Sequence, residues 1–198
     1  MSRLTAYGHS WVQGAGASAP HRRLVDLTAC SLGLLPDSRG VGGTLSTQTA
    51  ELVRRVAPPP SAAYLVMTGL NDIRLRGDSR RALHEYGSAL DAVLGAVALA
   101  SPAAVVAVVE QPHLLDYSGH APHDRGTDGL VDRGNDALRE VVARHAGAVA
   151  VHAEGWDRHT MLDEDTVHPN DAGHAAVAQA VAAALKALLR EPAGSRPV

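Results

Sequence analysis

The sequence predicts a three-layer α/β/α sandwich built on about five parallel strands. Short β-type runs alternate along the chain with longer stretches of helical spacing, as expected of βαβ units. The run at 103–109 is continuously apolar, which is typical of a strand that helices bury on both faces. A length of 198 residues, 45% of them hydrophobic, suffices for one domain with a single core. We therefore expect one domain over residues 1–190 and a flexible tail at 191–198.

The first half of the chain predicts strands and helices in alternation. Residues 3–7 are a β-type run that ends at a glycine. Apolar side chains at helical spacing indicate a helix over 21–32, which a glycine ends. The glycine-rich stretch 39–44 is interpreted as a strand end with its loop, and the helix at 47–56 is closed by three consecutive prolines. The β-type run 62–67 breaks at a Thr-Gly pair.

The second half continues the alternation. Helical spacing predicts a long helix over 79–100, and the apolar strand follows it. Residues 111–123 contain two prolines, a glycine and three histidines, and are interpreted as a long loop. A helix over 128–145, a short strand at 148–151 and a final helix over 170–189 complete the pattern. Parallel strands with right-handed crossovers give a flavodoxin-like sheet, whose ligand sites lie beyond the carboxyl ends of the strands.

Charge and cysteine content exclude several classes of function. The formal net charge of −3 provides no basic surface for nucleic acid. The single cysteine, Cys30, forms no internal disulfide, so the fold needs no oxidising compartment. The amino end lacks the apolar run of a signal peptide, and the longest apolar runs are too short for a transmembrane helix. We expect a cytoplasmic protein that binds neither nucleic acid nor membrane; no pattern in the sequence fixes its oligomeric state.

Four loops near the predicted carboxyl edge of the sheet carry residues that suit chemistry. Taken singly, each has a structural explanation, since serine caps helices, glycine pairs favour positive φ and Asn-Asp is common in turns. Their joint occurrence in this order is much less expected by chance. The four blocks are Gly8-His9-Ser10, Arg39-Gly40-Val41-Gly42-Gly43-Thr44, Gly69-Leu70-Asn71-Asp72 and Asp165-Thr166-Val167-His168.

These blocks resemble those of the SGNH hydrolases, which are also called GDSL-type esterases and lipases. The third and fourth blocks are the specific ones, because Gly-x-Asn-Asp and Asp-x-x-His are both met in full. The resemblance implies that Ser10 is the nucleophile, His168 its general base and Asp165 the carboxylate that orients the imidazole. A serine hydroxyl attacks efficiently only when a nearby base takes its proton, and imidazole titrates near neutral pH.

The resemblance also implies an oxyanion hole formed by the backbone N–H groups of Ser10 and Gly43 and the side-chain amide of Asn71. Such a site fixes its donors before the reaction and needs neither a metal nor a cofactor. We expect hydrolysis of a carboxylic ester, an acyl or acetyl ester of a small molecule, through an acyl-serine. Two alternatives remain open: an acyltransferase that uses the same acyl-serine, and a non-catalytic module that only binds its ligand.

Several neighbours of these blocks have two interpretations each. His9 stands where the family has an aspartate, and we interpret it as a residue that packs or caps. Trp11 is predicted to bind substrate by walling the acyl pocket, with a core contact as the alternative. The arginines after the third block, Arg74 among them, either meet an acidic group of the substrate or belong to a solvated helix start. His174 is expected to cap or pack the last helix rather than bind zinc.

Overall fold

The structure, a computed structural model, describes residues 2–190, and the predicted tail at 191–198 lies outside the described residues. Neighbouring strands all pair in parallel, in the order β2-β1-β3-β4-β5. The predicted α/β class and the sheet of five parallel strands are confirmed. The strands are β1 (Arg3–Gly8), β2 (Leu35–Gly40), β3 (Ala63–Met67), β4 (Val105–Val109) and β5 (Ala148–Val151).

Helices connect these strands and cover both faces of the sheet. All five predicted helices are present, with ends displaced by a few residues at most. A 3₁₀ turn at Pro20–Arg22 precedes the second helix. Within the described part of the chain the α-helices are α1 (Ser10–Gln13), α2 (Leu24–Leu32), α3 (Ser46–Arg55), α4 (Leu70–Arg76), α5 (Arg80–Ala100), α6 (Asp128–Val142), α7 (Arg158–Met161) and α8 (Asp171–Arg190).

Three of these helices are absent from the sequence prediction. Helices α1, α4 and α7 contain only 4, 7 and 4 residues. Helices of this length are marginal in isolation, so their formation depends on tertiary packing that periodicity does not reveal. In α4 the packing comes from Leu70 and Ile73, which are buried in the core. The segment after β3 is therefore a helix, where the sequence suggests only a turn.

Two further element ends differ from prediction for identifiable reasons. Helix α2 begins at Leu24 because Arg23 is extended, and the Leu24 N–H donates to Nδ1 of His174 at 3.2 Å. Strand β2 begins at Leu35, although proline occupies its second position. Proline is tolerated there because β2 is the edge strand, where a missing backbone donor is least costly.

Side chains alternate along the strands between two apolar clusters. On β3, Leu65 and Met67 face the cluster that includes helices α2 and α8. Tyr64 and Val66 face the opposite cluster, to which α3, α5 and α6 contribute. This period-two alternation makes the sheet the middle of three layers.

Helix α8 is long and apolar enough to span a membrane, judged by length and composition alone. The sequence expectation concerned uninterrupted apolar runs, whereas α8 meets the criterion through its average hydropathy. Val177, Val181 and Leu185 on α8 pack in the core, where the helix contacts α2 and β4. A buried core helix meets the same criteria, so the match carries no conclusion about a membrane.

The strand order reverses beside β1, and this positions the site. From β1 the chain moves outward to β2 and then crosses back to β3 on the other side. In parallel sheets of this kind, the crevice beyond such a reversal is where ligands bind. Helix α1 begins directly after β1 and helix α4 directly after β3. The first and third sequence blocks therefore lie on either side of this crevice.

Candidate active site

A serine, a histidine and an aspartate form a continuous hydrogen-bonded chain at the crevice. Nε2 of His168 lies 2.9 Å from Oγ of Ser10. Nδ1 of the same ring is hydrogen-bonded to Oδ2 of Asp165. Because an ionised carboxylate only accepts, the ring proton lies on Nδ1 and Nε2 is left to accept the Ser10 hydroxyl proton. This geometry suits proton transfer from serine to imidazole.

Asp165 is held by backbone donors as well as by the imidazole. Its Oδ1 accepts the N–H groups of Val167 and His168 at 3.0 and 2.8 Å. Burial raises the pKa of Asp165, but the hydrogen bonds from His168 and Val167 outweigh it, so the pKa lies below its ordinary value. The carboxylate is thus ionised at neutral pH and can stabilise an imidazolium. The His168 and Asp165 side chains are 29% and 38% exposed, so solvent reaches these hydrogen-bonded side chains.

Helix α4 anchors the loop that follows β2. Nδ2 of Asn71 donates to the backbone oxygen of Thr44 at 3.0 Å. The next residue, Asp72, accepts the backbone N–H and the hydroxyl of Ser46 at 2.9 and 2.6 Å. An amide nitrogen carries two N–H groups, so the Thr44 contact orients Asn71 and leaves its second donor for another acceptor.

Two glycines in that loop have different steric roles. A Cβ added to Gly42 would lie 3.9 Å from Cβ of Ser10 and 2.9 Å from Oε1 of Gln13. A Cβ added to Gly43 would meet nothing within 4 Å, but Gly43 has a left-handed φ of 74°. The sequence singled out Gly43 and missed the closer approach of Gly42. Glycine at 42 keeps a side chain away from the serine, whereas Gly43 allows the left-handed turn of the loop.

The sequence matches the GDSL-like lipase/acylhydrolase family over residues 6–176. This chain belongs to that family. The predicted family resemblance is therefore confirmed. The comparison with curated proteins found no match to this chain.

Several solved structures share the fold of this chain. The lipase/acylhydrolase from Enterococcus faecalis has a TM-score of 0.72 and 16% identity, covering 94% of this chain and 96% of its own. The carbohydrate esterase family 2 enzyme from Corynascus thermopiles has a TM-score of 0.73 and 18% identity, covering 95% and 66%. The salicylyl-acyltransferase of a tetracycline biosynthetic pathway has a TM-score of 0.74 and 17% identity, covering 97% and 56%. At these identities the likeness concerns the fold alone.

Trp11 is positioned differently from the prediction for this GDSL-like chain. Its side chain is 0% exposed, so it does not wall an acyl pocket in this structure. The indole N–H donates to the backbone oxygen of Val167 at 3.1 Å, and the ring packs against Trp156 with centroids 5.4 Å apart. Trp11 therefore ties the helix that carries Ser10 to the loop that carries His168, which is the core contact considered as the alternative.

His9, which replaces the family aspartate, caps α1 from a buried position. Its Nδ1 accepts the Trp11 N–H at 3.4 Å, and its Nε2 lies 3.0 Å from Oε1 of Gln111. The Gln111 amide nitrogen donates to the carbonyls of Thr68 and Val109. The Gln111 oxygen is therefore the acceptor, and His9 carries its proton on Nε2. The interpretation of His9 as a packing and capping residue is confirmed.

His9 is expected to make the stability of the fold depend on pH. Burial lowers the pKa of His9 from 6.5 to about 4, although the Gln111 hydrogen bond opposes this shift. Between pH 6.5 and about pH 4, His9 is protonated in the unfolded chain but not in the folded chain. The free energy of unfolding therefore falls as the pH falls through this range. The expected loss is about 3 kcal/mol in the free energy of unfolding by about pH 4. Urea unfolding across this range measures it.

The variant His9→Asn isolates this contribution. Asparagine keeps an acceptor for the Trp11 N–H but does not titrate, so the loss of stability on acidification should be smaller than in the wild type. His21→Asn removes an exposed histidine and serves as the matched control. Equal acid-induced losses in the wild type and His9→Asn would contradict the assignment.

The remaining histidines near the site are held by protein groups. His174 accepts the Leu24 N–H at Nδ1 and donates from Nε2 to the Ala15 carbonyl at 2.9 Å, as a packing residue does. His120 donates to the backbone oxygen of Asp165 at 2.7 Å, a contact that no sequence pattern indicates. Among residues 2–190, no group of three or more His, Cys, Asp or Glu side chains is arranged to hold a metal ion.

Proposed function

We propose that this chain is a serine esterase that hydrolyses a carboxylic ester of a small molecule through an acyl-serine. The observation that carries the proposal is the hydrogen-bonded chain from Ser10 through His168 to Asp165, with 2.9 Å between Oγ and Nε2. Membership of a family of lipases and acylhydrolases supports the same chemistry.

The proposed reaction has two acyl-transfer steps. In the first, Nε2 of His168 takes the Ser10 proton as Oγ bonds to the ester carbonyl carbon. The imidazolium, stabilised by Asp165, then protonates the departing alkoxide as the ester C–O bond breaks. In the second step, water loses a proton to His168 and attacks the acyl-serine, which releases the carboxylic acid and restores the Ser10 hydroxyl.

Three donors are proposed to stabilise the oxyanion of each tetrahedral intermediate. They are the backbone N–H groups of Ser10 and Gly43 and the N–H of Asn71 that Thr44 does not engage. The hydrogen bonds of Asn71 and Asp72 to the loop after β2 support this assignment, because they fix the loop relative to α4. Such fixed donors stabilise charge without reorganisation during the reaction.

Acyl transfer to an alcohol is a second candidate. The similarity in fold to a salicylyl-acyltransferase favours it, as does the exposure of His168, which leaves an acceptor a route to the acyl-serine. Adding small alcohols during turnover and identifying the products by mass spectrometry distinguishes transfer from hydrolysis.

The proposal is tested with p-nitrophenyl esters and a serine-directed fluorophosphonate. The full chain is expected to hydrolyse p-nitrophenyl acetate or a longer-chain ester and to take up one fluorophosphonate group, mapped to Ser10 by peptide mass spectrometry. Ser31→Ala removes an exposed serine and should retain both properties. A protein that is neither active on the ester panel nor labelled would contradict the proposal and favour the ligand-binding module.

A further inference from the structure

A buried arginine beside the proposed reaction centre lacks partners for two of its donor atoms. Arg74 lies one turn after Asn71 on α4, and it is only 5% exposed. Its Nε and Nη2 atoms are enclosed and have no hydrogen-bond partner among the residues that the structure describes. Unsatisfied buried donors are costly, and native proteins pair nearly all of them. An acceptor other than the described residues is therefore needed to satisfy the Nε and Nη2 donors of Arg74.

Contacts place Arg74 of α4 against the loop between β4 and α6. The Arg74 backbone oxygen accepts the N–H of Arg125 at 2.9 Å, and a Cβ added to Gly126 would lie 3.1 Å from Arg74 Cγ. The same loop reaches the other side of the crevice through His120, which donates to the Asp165 backbone oxygen. The loop between β4 and α6 thus covers Arg74 next to the proposed reacting groups.

Within residues 2–190, no carboxylate forms a direct ion pair with Arg74. Burial lowers the pKa of Arg74, and the nearby Asp165 carboxylate opposes that shift. Both Asp165 oxygens already accept hydrogen bonds from His168 or the backbone, and neither bonds to the guanidinium. Burial is the main cause of the low pKa of His9, and the charges of His168 and Arg74 lower this pKa further. A guanidinium remains protonated in proteins, so the crevice contains a fixed positive charge.

We propose that Arg74 binds an anionic group of the substrate, a carboxylate or a phosphate, and selects esters that carry negative charge near the cleaved bond. This inference rests on the proposed esterase function. The planar guanidinium presents donors in a fork that fits two oxygens of one anion, and such charge-assisted pairs are strong. Because Arg74 is 5% exposed, the anion must displace part of the covering loop to reach Nε and Nη2.

The test compares two esters of equal chain length, p-nitrophenyl valerate and mono-p-nitrophenyl glutarate, which differ by a terminal methyl or carboxylate. The wild type is expected to favour the glutarate ester in kcat/KM by about 10- to 100-fold, the range typical of a hydrogen-bonded charge. Arg74→Gln should reduce this ratio to near unity. Arg76→Gln removes an exposed arginine from the same helix and should keep the wild-type ratio.

The ratio separates substrate recognition from a structural role. A wild-type ratio at or below unity, or equal ratios in the wild type and Arg74→Gln, would overturn the proposal. A parallel loss for both esters gives equal ratios, as expected if Arg74 only packs or binds an ordered water. Arg74→Lys keeps the charge without the fork and should give an intermediate ratio, which serves as the test where the glutamine variant does not fold.

A binding measurement distinguishes failure of this inference from failure of the esterase proposal. If the wild type hydrolyses neither ester, calorimetry with glutarate and with inorganic phosphate decides the anion site on its own. Binding that Arg74→Gln abolishes and Arg76→Gln retains would support the site without any turnover, and the preferred anion identifies carboxylate or phosphate. Absence of binding by both anions would overturn it.

Discussion

Ser10→Ala, His168→Ala and the double variant are expected to share one residual rate of ester hydrolysis, about 10⁴- to 10⁶-fold below the wild-type kcat. The reason is the 2.9 Å contact between Oγ of Ser10 and Nε2 of His168. The base has no function without the nucleophile, and the nucleophile is weak without the base. Once either is gone, only substrate binding and oxyanion stabilisation remain, so the second substitution costs little more. The measurement is kcat for the best p-nitrophenyl ester.

Matched controls exclude a general loss of folding. Ser31→Ala and His21→Asn replace exposed residues of the same types and should retain wild-type kcat. Circular dichroism of each variant checks the fold. Losses that multiply in the double variant would show that the two residues act independently, which contradicts the proposed mechanism.

The arrangement of Ser10, Asp165 and His168 could be anticipated because it follows from topology. Parallel strands bring their carboxyl ends to one edge of the sheet, so a residue after the first strand can meet a loop before the last helix. The i, i+3 spacing of Asp165 and His168 lets the carboxylate reach back to the ring and to the backbone N–H groups. The resemblance to the SGNH hydrolases identifies these three residues, and the parallel topology explains why they meet.

The direction of Trp11 could not be predicted in the same way. Its side chain is turned inward by α1, a helix of 4 residues that exists only because tertiary contacts stabilise it. The indole then bonds to Val167, which lies 156 residues further along the chain. The His120 contact with Asp165 spans 45 residues and likewise depends on how an irregular loop folds. Neither periodicity nor local turn chemistry encodes such contacts.

Asp165→Asn is expected to lower kcat by about 10⁴-fold while leaving the fold intact. The asparagine Oδ1 can still accept the backbone N–H groups of Val167 and His168, so the turn is retained. The amide nitrogen, however, then faces Nδ1 of His168 and donates to it. That bond requires an unprotonated Nδ1, which moves the ring proton to Nε2. The imidazole then presents a donor to Ser10 and can no longer take its proton.

This effect is specific to the tautomer, and its control lies in the same loop. Asp163→Asn makes the same chemical change at an exposed position and should retain wild-type kcat. Because Asp165 does not contact the substrate in the proposed mechanism, KM should change far less than kcat. A loss below about tenfold, with an intact fold, would mean that the backbone contacts alone hold His168 in its reactive tautomer. Asp165 would then anchor the turn, and the charge beside the imidazolium would have no role in the rate.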